Sequence, residues 1–317
     1  MYDYFKQDFR NAYIRYRAML LKIEQLVTIR SCIACPRDNE VGNSFVSLDG
    51  NFRLVRRAKA GKYNVRSAGN FFFVDDTETR AAASRPDDGY SLTCDHRFTA
   101  AENAIKSPIN DVKGLFGASC PRHDMPLQFS NMFHGERYFN LTRYAYPKLI
   151  LNKLNITPQN ERDQKSLGTT FIFYDIACKF QSSFGDNGFK YCIPKMHVYA
   201  HNTQCFRRYH PLRTEGLGVV DGEGCERIWS MLSNFAYMTR GMLPSNRMDQ
   251  LEDKILHFFR SKRQNILEVL GKSKIKYQKE LVKAEQFFAE LNVSVQESRD
   301  LFIKEKEGTL NLCSKKN

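Results

Sequence analysis

The sequence predicts a mixed α/β domain, interrupted by a Cys/His-containing insertion and closed by C-terminal helices. Three observations predict it. Apolar residues recur at helical spacing at both ends of the chain. Short apolar runs of strand type, such as "FVSLD" and "TTFIFYD", stand between them. A polar, loop-rich stretch with scattered cysteine and histidine separates those runs.

The elements follow in order. Phe5, Phe9, Ala12, Tyr13, Tyr16, Leu20, Ile23 and Val27 place one amphipathic helix over 2–29, within an N-terminal region 1–31. Pro36 and Gly42 in "CPRDNEVGN" break it. "SFVSLDGNFRLVRR" reads as strand, turn at Gly50-Asn51 and second strand, and "GNFFFVDD" (69–76) as a third. These make 32–76 the first part of the core. Residues 77–165 form the insertion. "TTFIFYDIACKF" (169–180) has the continuous apolar character of a buried central strand, and "KYCIPKMHVYA" (190–200) reads as another. With the helix beginning at "GEGCERIWS", they make 166–246 the second part of the core. After Pro244, Ser245 or Asn246 caps a helix over about 247–270 that stops at Gly271. Further helices over about 273–292 and 293–306 complete a helical region 247–317, its tail frayed from Gly308.

Composition narrows the function classes. Apolar residues are 42% of the 317-residue chain, enough for a core and against wholesale disorder. The net charge of +13 favours a polyanionic partner. No apolar run reaches the length of a membrane span, and "MYDYFKQDFR" lacks signal-peptide layout. Intracellular residence is therefore expected, with the nine cysteines as thiols or metal ligands.

The chemistry sits in the acids. Asp49 ends "FVSLD" and Asp175 ends "FIFYD". If those strands are parallel neighbours, both carboxylates leave the sheet at one edge, where open α/β sheets place their sites. "DGEGCER" adds Asp221, Glu223 and Glu226 near a helix start. Three carboxylates suit two Mg²⁺ or Mn²⁺ ions, hard cations that activate an oxygen nucleophile and stabilise a leaving oxygen at phosphorus. The plainer reading of Asp49 is a turn former, since Asp-Gly is ordinary turn chemistry. Asp175 has no turn residue after it, and a charge there needs a partner or an ion.

"SLDGNFRLVRR", "CPRH", "GERYFN", "YDIACKF", "IPKMHVYAHNTQC" and "TEGLGVVDGEGCERIWSMLSNFAYMTRGMLPSNRMDQLED" occur in that order. The series resembles the catalytic region of the Kyakuja-Dileera-Zisupton transposases over roughly 32–255. The resemblance implies a ribonuclease H-like mixed sheet and a DDE-type DNA transposase, performing two-metal phosphodiester hydrolysis and strand transfer. Asp49 and Asp175 match the first two acids. Glu223 matches the third, with Glu226 the alternative. Double-stranded DNA is then the partner, a homo-oligomer is compatible, and residence is nuclear. Only one helix precedes "CIACP", a shorter lead than family members carry. A non-catalytic DNA-binding relic is therefore the second hypothesis, and a zinc-stabilised interaction module the third.

Several Cys/His pairs have spacings that suit tetrahedral Zn²⁺: Cys32 and Cys35, Cys94 and His96, Cys120 and His123, and His197, His201 and Cys205. The resemblance points to Cys94, Cys120 and His123 as structural zinc ligands, with His96 or Cys205 as fourth. Cys32 and Cys35 suit metal or core equally. His197 and His201 are candidates for lining the cleft, while Cys178, Cys192 and Cys225 read as small core residues. Arg53, Arg56, Arg57, Lys59, Lys62 and Arg66 follow the first acid and could carry a DNA backbone past it. "KSKIKYQKELVK" reads as a solvated basic face. Arg227 suits pairing with a nearby carboxylate, and Trp229 suits the core side of its helix.

Overall fold

The computed structural model describes residues 2–27, 31–35, 42–61, 70–84, 108–133, 144–156, 168–185 and 188–314. Helix α1 (Tyr2–Val27) leads to strand β1 (Ser44–Asn51), and β2 is the short Arg56–Arg57. Helix α2 (Asp76–Ala83) precedes strands β3 (Asn110–Val112), β4 (Gly114–Cys120) and β5 (Met125–Met132). Then come α3 (Ala145–Lys153), β6 (Thr170–Tyr174), α4 (Ala177–Phe184) and β7 (Phe189–Cys192). Helices α5 (Thr203–Tyr209), α6 (Gly224–Ser233), α7 (Ala236–Arg240) and α8 (Pro244–Gln264) follow. The chain closes with α9 (Ile266–Leu291) and α10 (Val295–Ser314).

The central sheet has the order β5-β4-β1-β6-β7. Strand β1 pairs antiparallel with β4 on one side and parallel with β6 on the other. Strands β4, β5 and β6 are buried along their whole length. That is the signature of a sheet covered on both faces, and it explains why these strands lack alternation. Strand period still divides the two faces. Val46, Leu48, Phe116, Ile172 and Tyr174 join Ile150 and Phe180 in one core. Leu115, Phe129, Trp229, Leu232, Leu251 and Ile255 form a second, and Phe45, Phe171, Phe173 and Cys192 belong to a third.

Several elements differ from expectation. Two parts of 77–165, strands β4 and β5, belong to the central sheet. Their small and polar residues, as in "GLFGASC", conceal a strand that is buried on both sides. Strand β1 runs through Gly50-Asn51 because pairing with β4 continues to Asn51↔Leu115. The run 69–76 contributes a single bridge, Phe73↔Phe129, and its phenylalanines pack as core. After Asp175 and Ile176 the chain turns from β6 into α4, and β7 stops before Pro194. The long C-terminal helix breaks at Asn265, not at Gly271, which lies inside α9. Asn292 then takes the left-handed conformation (φ 51°) that ends α9. No described helix is long and apolar enough to cross a membrane.

Candidate active site and metal centre

The register of the sheet brings the first two acids together. Leu48 pairs with Tyr174, so the next residues, Asp49 within β1 and Asp175 just past the end of β6, are neighbours across the parallel pair. Asp49 Oδ1 accepts from the Gly50 N–H at 2.7 Å, and Oδ2 accepts from the Trp229 indole Nε1 at 2.6 Å. The tryptophan is core, as expected, but its one polar atom is aimed at the first acid. Asp175 Oδ2 lies 3.1 Å from His197 Nδ1. Its Oδ1 is buried and accepts no hydrogen bond among the described residues.

Glu223 and Glu226 approach from the start of α6. Glu223 is buried, and its Oε1 accepts from the Met196 N–H at 2.7 Å. Its Oε2 lies 3.9 Å from His197 Nε2 and accepts no hydrogen bond among the described residues. Burial raises the Glu223 pKa, outweighing the Met196 N–H that lowers it. Glu226 is exposed, with Oε1 3.5 Å from His197 Nε2. The imidazole therefore stands between Asp175 and both glutamates. Burial works to lower the His197 pKa, but the Asp175 and Glu226 carboxylates prevail and hold it at about 11. As an imidazolium, His197 neutralises part of the acid cluster.

The backbone here is tightly determined. Gly222 has φ +85°, and a Cβ would meet the Phe173 ring at 2.4 Å. At Gly224 a Cβ would lie 2.5 Å from Ser119 Oγ and 3.0 Å from Pro121 Cα, so α6 starts hard against the end of β4. The two glycines serve close approach, not a loose helix start. Asp221 pairs with Arg227 through Nη1 at 2.9 Å and Nη2 at 3.2 Å. That pairing and the Glu223 N–H hold the Asp221 pKa down although burial opposes them. Arg227 Nε also donates to Asp124 Oδ1 at 2.6 Å. Arg227 thus carries the expected pairing with a nearby carboxylate, and does so with both Asp221 and Asp124.

A thiol-imidazole group lies just beyond. The turn between β4 and β5 presents Cys120 and His123, and the segment after α1 presents Cys32 and Cys35. Their ligand atoms all lie within 4.8 Å of one another. Cys32 Sγ is 3.2 Å and Cys35 Sγ 3.4 Å from His123 Nδ1, and Cys35 and Cys120 sulfurs are 3.6 Å apart. Zinc with bonds of about 2.3 Å to sulfur and about 2.0–2.1 Å to nitrogen spaces its ligand atoms at roughly 3.5–3.8 Å. Four donors at that spacing fit one tetrahedral ion. Hydrogen bonds from Cys120 and then Cys35 hold the Cys32 pKa far down. The Cys120 pKa is raised, first by its bond to Cys32. Cys94 and His96 lie outside the described residues. Cys205 is not in this group; Cys32 and Cys35 complete it.

Other expected residues divide. Arg56 is 1% exposed, and its guanidinium bonds Asp111, the Gly61 carbonyl and, at 3.2 Å, the Met242 carbonyl. It is a structural cation, correcting its expected place in the DNA-facing stripe. Arg53, Arg57 and Lys59 are exposed, and Lys62 and Arg66 lie outside the described residues. Cys192 and Cys225 are core; the Cys225 thiol donates to the Ser47 carbonyl at 3.2 Å. His201 lies beside Cys178 and Cys205. Sequence reasoning offered His197 as a cleft-lining candidate, and it lies against Asp175, Glu223 and Glu226, but the hydrogen bond from Trp229 was not foreseen. The signal for His197 was a histidine just after the Ile193-Pro194 strand end.

Fold and site together define a mixed α/β protein with carboxylates gathered at one sheet edge beside a Cys/His group able to hold a metal such as zinc. The chain belongs to the Kyakuja-Dileera-Zisupton transposase family, whose model matches residues 43–258, well over half its length. No curated protein and no solved structure matches it.

Proposed function

We propose that this chain is a ribonuclease H-like DDE transposase domain that cuts and joins double-stranded DNA in the nucleus. Asp49, Asp175 and Glu223 hold two Mg²⁺ or Mn²⁺ ions in this reading. One observation carries it: Asp49 and Asp175 follow paired residues of adjacent parallel strands, His197 lies against both Asp175 and Glu223, and buried oxygens on Asp175 and Glu223 accept no hydrogen bond among the described residues. Hard oxygen donors left without partners in a buried acidic cluster fit divalent cations. The five-stranded order, antiparallel on one side of β1 and parallel on the other, supports the ribonuclease H-like reading.

When bound, the ions would activate the attacking oxygen and stabilise the leaving oxygen of an in-line displacement at phosphorus. The protein's own groups prepare for that. Trp229 and the Gly50 N–H fix both oxygens of Asp49. The Met196 N–H turns Glu223 so that Oε2 faces His197. His197 bridges the acids, with Nδ1 at Asp175 Oδ2 and Nε2 at Glu226 Oε1. Exposed Arg53, Arg57 and Lys59 supply cations for a phosphate backbone. The Cys32, Cys35, Cys120 and His123 group is read as a structural zinc centre.

A binding-only reading draws on His197, which satisfies Asp175 without any ion. Nicking of supercoiled plasmid in Mn²⁺ separates the two. Activity lost in Asp175→Asn, with DNA binding retained, supports the enzyme. Nicking that survives Asp175→Asn refutes it, and binding without any nicking by the wild-type chain favours the relic.

A further inference from the structure

A second thiol-imidazole group lies behind the acid cluster. Cys178 is in the first turn of α4, three residues after Asp175. His201 ends the 3-10 turn Val198–Ala200, and Cys205 is in the first turn of α5. One ligand atom from each lies within 4.8 Å of the other two. Cys178 Sγ and His201 Nδ1 are 3.7 Å apart, close to the roughly 3.5 Å that a tetrahedral zinc imposes between sulfur and nitrogen. Cys178 and Cys205 are each 5% exposed, while His201 is only partly buried.

The local fold prepares this spacing. Asn202 caps α5, its Oδ1 accepting from the Cys205 N–H at 2.9 Å. The cap fixes where the helix begins, and so fixes Cys205 relative to His201. Two buried sulfurs and one imidazole are soft and borderline donors, the set that selects Zn²⁺ over Mg²⁺. Three protein ligands leave one tetrahedral position, and the partly exposed histidine gives water access to the group.

We infer that Cys178, His201 and Cys205 form a second zinc site, with water as the fourth ligand, that ties the first turn of α4 to α5. The tie has a consequence for the acids. Asp175 sits at the corner between β6 and α4, and His197, four residues before His201, bonds it. An ion at the second site anchors both approaches to that carboxylate. The site is independent of the transposase reading, because it concerns ion content and not reaction.

Zinc content of the purified full-length chain tests it, together with Co²⁺ titration of the metal-stripped chain read by thiolate-to-cobalt absorption. The expected wild-type content is about two zinc per chain, one for each Cys/His group. His201→Gln and the double variant Cys178→Ala with Cys205→Ala are each expected to fall to about one, the cobalt absorption keeping only the Cys32, Cys35 and Cys120 contribution. His201 is partly exposed, so its variant serves if the core double variant fails to fold. A wild-type chain that saturates at one ion or fewer overturns the inference. So does a content of two that His201→Gln leaves unchanged.

Discussion

The hydrogen bond from Trp229 to Asp49 offers a quantitative test of how the first acid is oriented. Trp229→Phe removes the indole N–H, which lies 2.6 Å from Asp49 Oδ2, and keeps an aromatic ring against Phe129, whose centroid is 5.8 Å away. A hydrogen bond to a charged acceptor contributes about 1.5–3 kcal/mol. Asp49 is only half-buried, so screening places the expectation near the lower end, about 1.5 kcal/mol. Shrinking a buried indole to a phenyl adds about 1–2 kcal/mol of packing loss that has nothing to do with Asp49. A double-mutant cycle with Asp49→Ala removes that packing contribution. Urea unfolding in chelator, followed by far-UV circular dichroism, gives the four free energies. A coupling of about 1.5 kcal/mol is expected. A coupling below about 0.5 kcal/mol would refute an indole that holds the carboxylate.

Trp229 is the only tryptophan, so its fluorescence reports on Asp49 directly. Paramagnetic Mn²⁺ should quench it saturably in the wild-type chain and not in Asp49→Ala; equal quenching in both would remove Asp49 from the ion site. Glu223→Gln should abolish Mn²⁺-dependent nicking, whereas Glu226→Gln, changing an exposed side chain, should reduce it less than about tenfold; the reverse order would make Glu226 the third acid. Arg56→Gln should cost about 3–5 kcal/mol in urea unfolding because it breaks a buried cation's contacts. Arg53→Gln should leave stability within about 0.5 kcal/mol and lower the salt dependence of DNA binding by about one counterion. Arg227→Lys loses the two-pronged grip on Asp221 and should lower nicking while zinc content stays unchanged; loss of zinc would show instead that Arg227 supports the Cys/His centre.

Asp175 was legible because no turn residue follows its apolar strand, whereas Asp49 before Gly50 read equally as a turn former. The geometry of the pair depended on one thing the residues do not state, that β1 and β6 are parallel neighbours in the register Leu48↔Tyr174. The β4–β5 hairpin was illegible for a packing reason. A Cβ on Gly117 would meet the Phe129 and Trp229 rings, and Ser119 abuts Gly224 at the start of α6, so both positions must be small, which strips the strand of its usual β-branched signal. The Cys/His centre was half legible. Each pair has ligand spacing, but residues 32–35 and 120–123 meet only because the hairpin turn reaches the segment after α1. Arg56 misled because a buried arginine and a phosphate-facing one read alike. Its burial is set by Asp111 on β3, which no local pattern links to it.

The hairpin turn connects the Cys/His centre to Glu223. Asp124 follows His123 and takes both Arg227, at 2.6 Å, and Lys262, at 2.8 Å. Arg227 in turn grips Asp221, whose Oδ1 accepts from the Glu223 N–H at 2.9 Å. From the other side Gly224 abuts Ser119 and Pro121, so the turn and the start of α6 touch through both backbone and charge. An ion at Cys32, Cys35, Cys120 and His123 would fix the turn, the turn fixes Arg227, and Arg227 fixes the backbone that presents Glu223. Asp221 matters in this chain of contacts as a neighbour that consumes the arginine, which leaves Glu223 without an Arg or Lys partner among the described residues and its Oε2 facing His197. That division of labour answers why three acids crowd six residues at the start of one helix: Asp221 orients, Glu223 faces inward, and Glu226 reaches His197 from the solvent side.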